Sequence, residues 1–459
     1  MNAIVLSAVW GVAMMFTGIL SNNKRLVSNI GILGMTALVV VNLLEMSGMR
    51  FFTVDLHNML WFDTFGLLFN TIAFVCTLVY FLLSGRDIER VGSHVAEYYA
   101  LTFFVLCGVS LASSFNTLLM LFLAIEIISI PLYVLTGSDK RNLKSNEASL
   151  KYLLMGSFST GLMLMGITFI YGAKGSFDMD VIRMGSGELT PLLGAGLLLL
   201  MFSIAFKVSA APFHFWTPDV YDGAPTVFTS FMATVVKAAS FIAFIRLFDY
   251  SFGDMHKEWQ LMIAIITAAT LFIGNITAVF QQSVKRMLAY SSIAQAGFML
   301  FALVAMNQTA KEGLLFYTAA YSLATIGIFA ILIRMKDYTF EGFNGLAKYH
   351  PVLAATNAIF LFSLAGIPAT AGFWAKYYML AAAVQQGQLL WLVIVGLVCA
   401  AISVYYYFRV IQAMYFKEGD PQPIEASPAF KGILIGMAGV VVVLGIWPEW
   451  LIDKLYFFF

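Results

Sequence analysis

A series of long apolar runs constrains this chain more than any other feature of its sequence. A helix needs about 20 apolar residues to cross the hydrocarbon core of a bilayer. The 459-residue sequence contains fourteen such runs, and the loops between them are too short for a soluble domain. Only 11% of its residues are charged, against about 25% in soluble proteins. The sequence therefore predicts an all-α polytopic membrane protein embedded in a lipid bilayer.

The predicted spans follow one another along the whole chain. They lie near 2–20, 26–46, 59–83, 96–113, 115–137, 148–173, 191–211, 226–248, 259–280, 284–306, 311–333, 352–383, 390–415 and 430–448. No basic residue precedes the first run, so we interpret it as a spanning helix and not as a signal peptide.

Lysine and arginine are unevenly distributed between the predicted loops. Loops after odd-numbered spans carry thirteen of these residues, and the opposite side carries six, Lys454 among them. Basic residues concentrate in cytoplasmic loops. We therefore expect the odd-numbered loops in the cytoplasm and both termini outside.

Net charge and motif content argue against several other classes of protein. The formal net charge of +1 gives no bulk attraction to nucleic acid. The three cysteines lie in apolar runs without metal-ligand spacing. The sequence has no nucleotide-binding glycine motif and no cysteine cluster for iron–sulfur ligation. We expect no cofactor, metal or redox centre in this chain.

Four ionisable residues occur inside predicted spans, where each costs at least about 2.5–3.5 kcal/mol and is a functional candidate. They are Glu126, Lys207, Lys237 and Lys376. One interpretation is that these charges only pair and hold helices together. Against it, a purely structural design has no need of three buried lysines for one glutamate. We favour a proton relay.

Lysine is suited to such a relay. Burial disfavours its charged form, whereas a nearby carboxylate favours that form. A lysine held between these effects can load and release a proton near neutral pH, which arginine cannot do. We therefore expect a buried acid–base pair between Glu126 and Lys207.

Prolines and a weak internal repeat suggest where helices are interrupted. Pro131 and Pro212 each follow a buried charge by five residues, and an interior proline removes a helical hydrogen bond. Such breaks are typical of ion pathways, although many membrane helices contain a harmless proline kink. The segment FSIAFKVSAAPFHFW at 202–216 resembles FSLAGIPATAGFWAK at 362–376. The two segments belong to spans seven and twelve, which we expect to be broken.

An offset of five spans reverses topology, so these segments predict two inverted five-helix repeats. The expected divisions are an N-terminal three-helix segment at 1–95, a first half at 96–250, a second half at 258–416 and a C-terminal helix at 417–459. Further relay candidates are His214, which could pass protons to Lys207, and Lys151 and Lys285 at span ends, which could equally be interfacial anchors.

These residues belong to recognisable motifs. The stretch AFKVSAAPFHFWTPDVYDGAPTVFTSF, the following ATVVKAASF and the later QQSVKRMLAYSSIAQAGFML strongly resemble the antiporter-like membrane subunits of respiratory complex I, members of the proton-conducting membrane transporter family. The similarity covers nearly the whole chain. The resemblance implies that Glu126, Lys207, Lys237 and Lys376 form the central proton line, with Lys151 and His214 beside it. Gln295 departs from the pattern, because the family usually has a histidine there.

The resemblance also implies a setting, the bacterial inner membrane. Partner subunits would carry NADH, FMN, iron–sulfur clusters and quinone, and their electron transfer would drive protons outward through this chain. Other membrane-arm subunits and the lipid bilayer would be its partners, with no nucleic acid. Two alternatives remain: a subunit of a multisubunit cation/proton antiporter, which needs no NADH, and a non-pumping scaffold of the membrane arm.

The orientation leads to a test of topology. Cysteines introduced at residue 2 and after residue 452 should both react with a membrane-impermeant thiol reagent in intact cells, because both ends are predicted outside. Protection of either end would contradict the span count or the orientation.

Overall fold

The structure is a computed structural model that describes residues 1–456 except 22, 53–56, 185–189, 388 and 420–423. The side chains of 453–456 lie outside the described part, and so does the Lys454 side chain that enters the charge count. Throughout the described ranges the regular elements are helices, with three isolated bridging pairs and no β-strand.

Twenty α-helices follow one another in the described residues. They are α1 Asn2–Leu20, α2 Lys24–Met46, α3 Thr64–Val91, α4 Val95–Ala112, α5 Leu118–Thr136, α6 Leu143–Lys174, α7 Met179–Met184, α8 Pro191–Lys207, α9 Trp216–Gly223, α10 Thr226–Phe231, α11 Lys237–Phe252, α12 His256–Val279, α13 Val284–Ala305, α14 Gln308–Leu332, α15 Leu346–Tyr349, α16 Pro351–Ala365, α17 Ala371–Gln386, α18 Leu390–Phe416, α19 Pro428–Ile446 and α20 Glu449–Tyr456. A π-helical turn, Met232–Val236, joins α10 to α11.

The helices are long and apolar enough for a multi-pass membrane protein. Within the described chain, eleven helical stretches could cross a membrane by length and composition, one of them the continuous stretch from Thr226 to Val279. Two shorter apolar helices, α8 and α16, accompany them. The predicted all-α polytopic class is confirmed. The count of fourteen spans, the inverted repeat and the four divisions stay predictions.

Several helices begin at a side-chain cap that the sequence supplies. Asp63 accepts a hydrogen bond from the Gly66 amide before α3, and Thr117 accepts one from Met120 before α5. Asn307 caps α14 in the same way. Each side chain satisfies an amide that the first helical turn leaves free. The loops can therefore be short, which keeps neighbouring helices packed together.

Burial separates central helices from peripheral ones. In the apolar stretch of α13, 94% of the residues are buried inside the protein, and the share in α14 is 89%. In α1 only 22% of the corresponding residues are buried. The helix α13 packs against α12, α17, α9, α14 and α11. The exposed apolar residues of α1 are those expected to face lipid. Functional side chains on α13 are therefore enclosed by protein on most sides.

The helix α5 continues through Pro131, as the span predicted at 115–137 does, so this proline leaves the helix beside Glu126 unbroken. Membrane helices tolerate an interior proline where neighbouring helices satisfy the freed backbone group. The helix α6 begins at Leu143, so Lys151 lies two turns inside it and not at its start. Ser145 on this extension and Ser149 just after it donate to carbonyls of α5, which fixes the start of α6 against that helix.

The two predicted interruptions of spans seven and twelve are present. The helix α8 ends at Lys207 and the next helix begins at Trp216. The helix α16 ends at Ala365, followed by Gly366 in the left-handed region with φ of +84°. A glycine adopts that conformation without the steric penalty of a side chain. The two buried lysines at these breaks, Lys207 and Lys376, therefore lie beside backbone groups that no longer bond within a helix.

Gly372 allows α17 to begin close against the end of α16. Its amide donates to the Ser363 hydroxyl at 3.0 Å. A Cβ atom at this position would lie 1.7 Å from the Ser363 carbonyl oxygen, so the backbones would have to separate. The break that presents Lys376 thus depends on the absence of one methyl group.

We predict that Gly372→Ala destabilises the subunit by about 1–3 kcal/mol, the usual cost of overpacking a filled core. Thermal unfolding of the purified complex should show a lower midpoint or loss of this subunit. The matched control is Gly436→Ala on α19, where a new Cβ meets no atom within 4 Å. Equal stability of the two variants would contradict this account of the break.

Candidate functional site

Lys151 lies at an open polar cavity and is not buried. Its ammonium group is 2.8 Å from Glu147 and 2.8 Å from Asp219, and it is 41% exposed. Arg286 of α13 holds the other Asp219 oxygen at 3.0 Å. The cavity has a volume of about 210 Å³. Asp219 therefore joins α6 to α13 across the start of α9, a partner that the sequence analysis missed.

Lys285 is buried and binds the end of a helix. Its ammonium group donates to the Asp222 carbonyl at 2.8 Å and the Ala224 carbonyl at 2.7 Å. These carbonyls end α9, and a cation there satisfies free acceptors and the helix dipole. Lys285 is therefore neither an exposed anchor nor in contact with another relay candidate. It fixes the position of α9 against α13.

His214 lies in the break between α8 and α9. Its side chain is buried, and its Nδ1 atom has no hydrogen-bond partner among the described residues. The ring lies against Phe215, with centroids 4.4 Å apart. The structure thus gives His214 an uncommitted nitrogen but no direct bond to Lys207.

Glu126 and Lys207 do not form the expected ion pair. Lys207 donates to the Ser129 hydroxyl at 2.8 Å, and Glu126 accepts from the Thr160 hydroxyl at 2.7 Å. Ser129 lies one turn after Glu126 on α5, so a hydroxyl occupies the place beside Lys207 that we assigned to the carboxylate. The two charges still interact electrostatically, at longer range.

A small internal cavity joins Lys207 to Lys237. Both lysines line it, together with Ser129, Tyr152 and Trp216. Its free volume of about 10 Å³ suits on the order of one water molecule, and the polar lining supplies the partners that such a water needs. The first two lysines of the predicted line therefore share one enclosed space.

Lys237 is almost completely buried at the start of α11. Its ammonium group donates to the carbonyl of Ser292 at 2.9 Å and to the hydroxyl of the same residue at 3.0 Å. The ring of Tyr221 lies 5.7 Å from it, close enough for a cation–π contact. The adjoining π-helical turn displaces the following helix, a feature frequent at functional sites.

Gln295 lies one turn beyond Ser292 on α13 and connects the two halves of the line. Its amide nitrogen donates to the Leu364 carbonyl at 3.0 Å and to the Tyr407 hydroxyl at 3.1 Å. Its amide oxygen accepts a hydrogen bond from Tyr317. The residue that departs from the family pattern is therefore fully hydrogen bonded at the centre of the site.

Lys376 occupies the break between α16 and α17. It donates to the Ala365 carbonyl at 2.8 Å and to the Ser403 hydroxyl at 3.4 Å. The ring of Phe298 lies 4.9 Å away. Gln295 and Lys376 therefore bind successive carbonyls, those of Leu364 and Ala365, at the end of one helix.

The partners of the three buried lysines are neutral. In the described part of the chain, no carboxylate lies within ion-pair distance of Lys207, Lys237 or Lys376. A hydroxyl or carbonyl accepts a hydrogen bond from a charged or a neutral amine. Because no carboxylate pairs with these lysines, a lysine that loses its proton leaves no unpaired buried negative charge behind, which would be costly. This arrangement can exchange protons without breaking an ion pair.

The charged residues of the site stand out in the sequence, but the neutral groups that bind them were not predicted. Ser129 and Ser292 could have been noticed, because each lies three residues from a predicted site residue on the same helix. Ser403 and Tyr407 on α18 had no such signal. The structure brings Gln295 and Lys376 to one helix end, and places Lys151 and Lys285 away from the line.

Comparison with known proteins identifies the family to which this chain belongs. A family model described as the transmembrane part of NADH:quinone oxidoreductases and Mrp antiporters matches residues 115–403. The NADH-quinone oxidoreductase subunit N of Cytophaga hutchinsonii is 40% identical over 99% of both chains. The subunit N of Flavobacterium psychrophilum is 35% identical over 98% of this chain and 99% of its own.

Solved structures share the whole fold. A chain of respiratory complex I from Thermus thermophilus with bound aureothin has a TM-score of 0.85 and 31% identity, over 98% of both chains. A chain of the Mrp complex from Dietzia has a TM-score of 0.85 at 18% identity, over 98% of this chain and 95% of its own, which shows the fold alone. The chain therefore belongs to the NADH:quinone oxidoreductase/Mrp antiporter family of membrane subunits, and within it to the NADH-quinone oxidoreductase subunit N proteins.

Proposed function

We propose that this chain translocates protons across the membrane through Glu126, Lys207, Lys237 and Lys376. The observation that carries the proposal is the series of three buried lysines on separate helices, each bonded to neutral acceptors. Lys285 also binds carbonyls, but it lies away from this line; Lys207 and Lys237 instead share one internal cavity, and Lys376 binds the same helix end as Gln295. The arrangement thus supports a relay over a scaffold.

The proposed transfer proceeds by electrostatic coupling between neighbouring sites. Gaining a proton at Lys207 places a positive charge beside the small cavity that Lys237 also lines, and like charges disfavour each other. The proton on Lys237 is then released toward Ser292 and Gln295. Glu126 favours the loaded state of Lys207 from a distance, so a change in its charge controls loading.

Gln295 would support proton transfer between its neighbours without binding the proton itself. An amide cannot serve as a proton carrier near neutral pH, but it can order the groups that do. Its partners Tyr317 and Tyr407 are hydroxyls, and Ser291 lies 2.5 Å from the Tyr407 hydroxyl. We propose that these hydroxyls, with water, bridge the interval between Lys237 and Lys376.

The proposed setting is an NADH:quinone oxidoreductase with this chain in its membrane arm. Other subunits would hold NADH, FMN, iron–sulfur clusters and quinone, and their electron transfer would drive the translocase activity. We retain fourteen spans, two inverted halves at 96–250 and 258–416, and both termini outside as parts of the proposal. A cation/proton antiporter without NADH is the alternative, and sodium-dependent transport by an isolated complex would favour it.

The relay leads to a prediction for Glu126 and Lys207. Glu126→Gln keeps the bond to Thr160 but removes the charge that favours protonated Lys207, and Lys207→Ala removes the proton carrier. Both variants should assemble and lose most proton pumping and coupled quinone reduction. Glu126→Asp should recover part of the rate, because the charge returns on a shorter side chain. The measurements are quinone reduction and pH-gradient formation in proteoliposomes.

Lys336→Ala is the matched control for this experiment, because Lys336 is exposed in a loop. It should pump at the normal rate. Full activity in a well-assembled Glu126→Gln variant would refute the relay role of Glu126 and favour a structural role.

A second prediction concerns Gln295. Gln295→Leu leaves the Leu364 carbonyl and the Tyr317 hydroxyl without their partner, at about 1–3 kcal/mol for each buried group, whereas the Tyr407 hydroxyl keeps its bond to Ser291. We expect a lower unfolding temperature and slower pumping, whereas Gln295→His should be tolerated. Gln260→Leu is the control, because it loses a buried bond to the Val304 carbonyl away from the lysines. If Gln295→Leu assembles and pumps normally, the bridging role is wrong.

A further inference from the structure

Ser209 has a backbone conformation that glycine usually provides. It follows the end of α8 with a φ of +66°, in the left-handed region, where the Cβ atom of an L-residue crowds the following carbonyl oxygen. Its amide donates to the Phe206 carbonyl at 3.0 Å, and the Ala210 amide donates to the Ala205 carbonyl at 2.8 Å. These two bonds form a Schellman motif, in which glycine is the usual residue at the position of Ser209. The strained serine persists because the surrounding structure holds it.

The hydroxyl of Ser209 makes a bond that glycine could not make. The Thr217 hydroxyl donates to it at 2.7 Å, and both residues are completely buried. Ser209 lies two residues after Lys207, the last residue of α8, whereas Thr217 is the second residue of α9. The bond therefore crosses the interruption of span seven and joins its two helical parts.

The second interrupted span has the same backbone conformation at the matching position. Ser209 is the eighth residue of the segment 202–216, and Ala369 is the eighth residue of the similar segment 362–376. Ala369 has a φ of +67° and is exposed. An alanine has no hydroxyl, so this residue makes no side-chain hydrogen bond across its break. Ala369 thus shows the left-handed conformation without the bond that accompanies it at Ser209.

The residues joined by this bond adjoin two groups that line the cavity shared by Lys207 and Lys237. Lys207 ends α8, and Trp216, the neighbour of Thr217, begins α9, and both line the cavity. The Trp216 Nε1 atom also donates to the Phe206 carbonyl at 3.0 Å. The free volume of about 10 Å³ suits on the order of one water molecule. A small change in the separation of α8 and α9 would therefore alter the connection between the two lysines.

We propose that Ser209 and Thr217 are positioning residues of the proton relay, and that their bond holds α8 and α9 at the separation that keeps Lys207 and Lys237 on one cavity. Serine is present in place of glycine because this point needs a hydroxyl that accepts from Thr217. Neither residue carries the proton. The inference rests on the proposed function, because it concerns transfer between these two lysines.

The first test separates the bond from the backbone strain. Ser209→Gly removes the bond and relieves the left-handed backbone, whereas Ser209→Ala removes the bond and keeps the strain. The complex with Ser209→Gly should unfold at a higher temperature than the complex with Ser209→Ala, yet both should lose proton pumping several-fold and to the same extent. Pumping that followed thermal stability, with a normal rate in Ser209→Gly, would show a purely structural role and overturn the proposal.

The second test examines the partner of Ser209. Thr217→Val removes the donor and nearly keeps the side-chain shape, so it should lower pumping several-fold in the assembled complex. Thr217→Ser keeps a hydroxyl and should retain most of the normal rate. The double variant Ser209→Ala/Thr217→Val should pump at the rate of either single variant, because each change already removes the same bond. Losses that multiply in the double variant would contradict the proposal.

Two matched controls separate the bond from general effects. Ala369→Gly relieves a left-handed residue at the matching position without removing a hydrogen bond. Thr102→Val removes a buried hydroxyl that bonds the Tyr98 carbonyl within α4. Both variants should pump at the normal rate. A loss in Ala369→Gly equal to that in Ser209→Gly would assign the effect to backbone flexibility and refute the role of the bond.

The outcomes also distinguish this proposal from the relay. Normal pumping in assembled Ser209→Ala and Thr217→Val, with pumping lost in Lys207→Ala, would refute the positioning role and leave the relay intact. Normal pumping in Lys207→Ala would instead refute the proposed function itself.

Discussion

The free-energy cost of a charge inside a low-dielectric bilayer is the constraint on which this structure depends. Taking an ammonium group out of water costs several kcal/mol even after the protein relaxes around it. The fold meets this cost with neutral dipoles, since Lys207, Lys237 and Lys376 each donate to hydroxyl or carbonyl oxygens. Such partners stabilise the charged amine and still accept a hydrogen bond from the neutral one. The proposed relay requires partners of this kind.

The two broken helices supply part of that dipole environment. A continuous helix uses its carbonyls internally, and only an interrupted one can offer them to a side chain at membrane depth. At the end of α16, the successive carbonyls of Leu364 and Ala365 bind Gln295 and Lys376. The break is maintained by Gly366 and by the close approach at Gly372. Backbone geometry and site chemistry are therefore inseparable here.

Prediction from the sequence succeeded where the residue type alone makes a position unusual for a membrane helix. Glu126 and the three lysines stand out because charge is rare in apolar runs, and the interruptions at Pro212 and Gly366 follow from residues that end helices. It failed where a neighbour decides the outcome. Ser129 takes the place beside Lys207 that we assigned to Glu126. That result is not visible without the helix packed opposite.

The sequence by itself determined the solvent, the helical class and the identity of the groups that can carry a proton. These follow from local properties: run length, charge and backbone conformation. Only the tertiary structure decided how those groups are connected. Ser292 and Gln295 of α13 reach Lys237 on one side and the α16 break on the other. The reason is physical: hydrogen bonds between helices depend on which faces meet, and that depends on the packing of the whole chain.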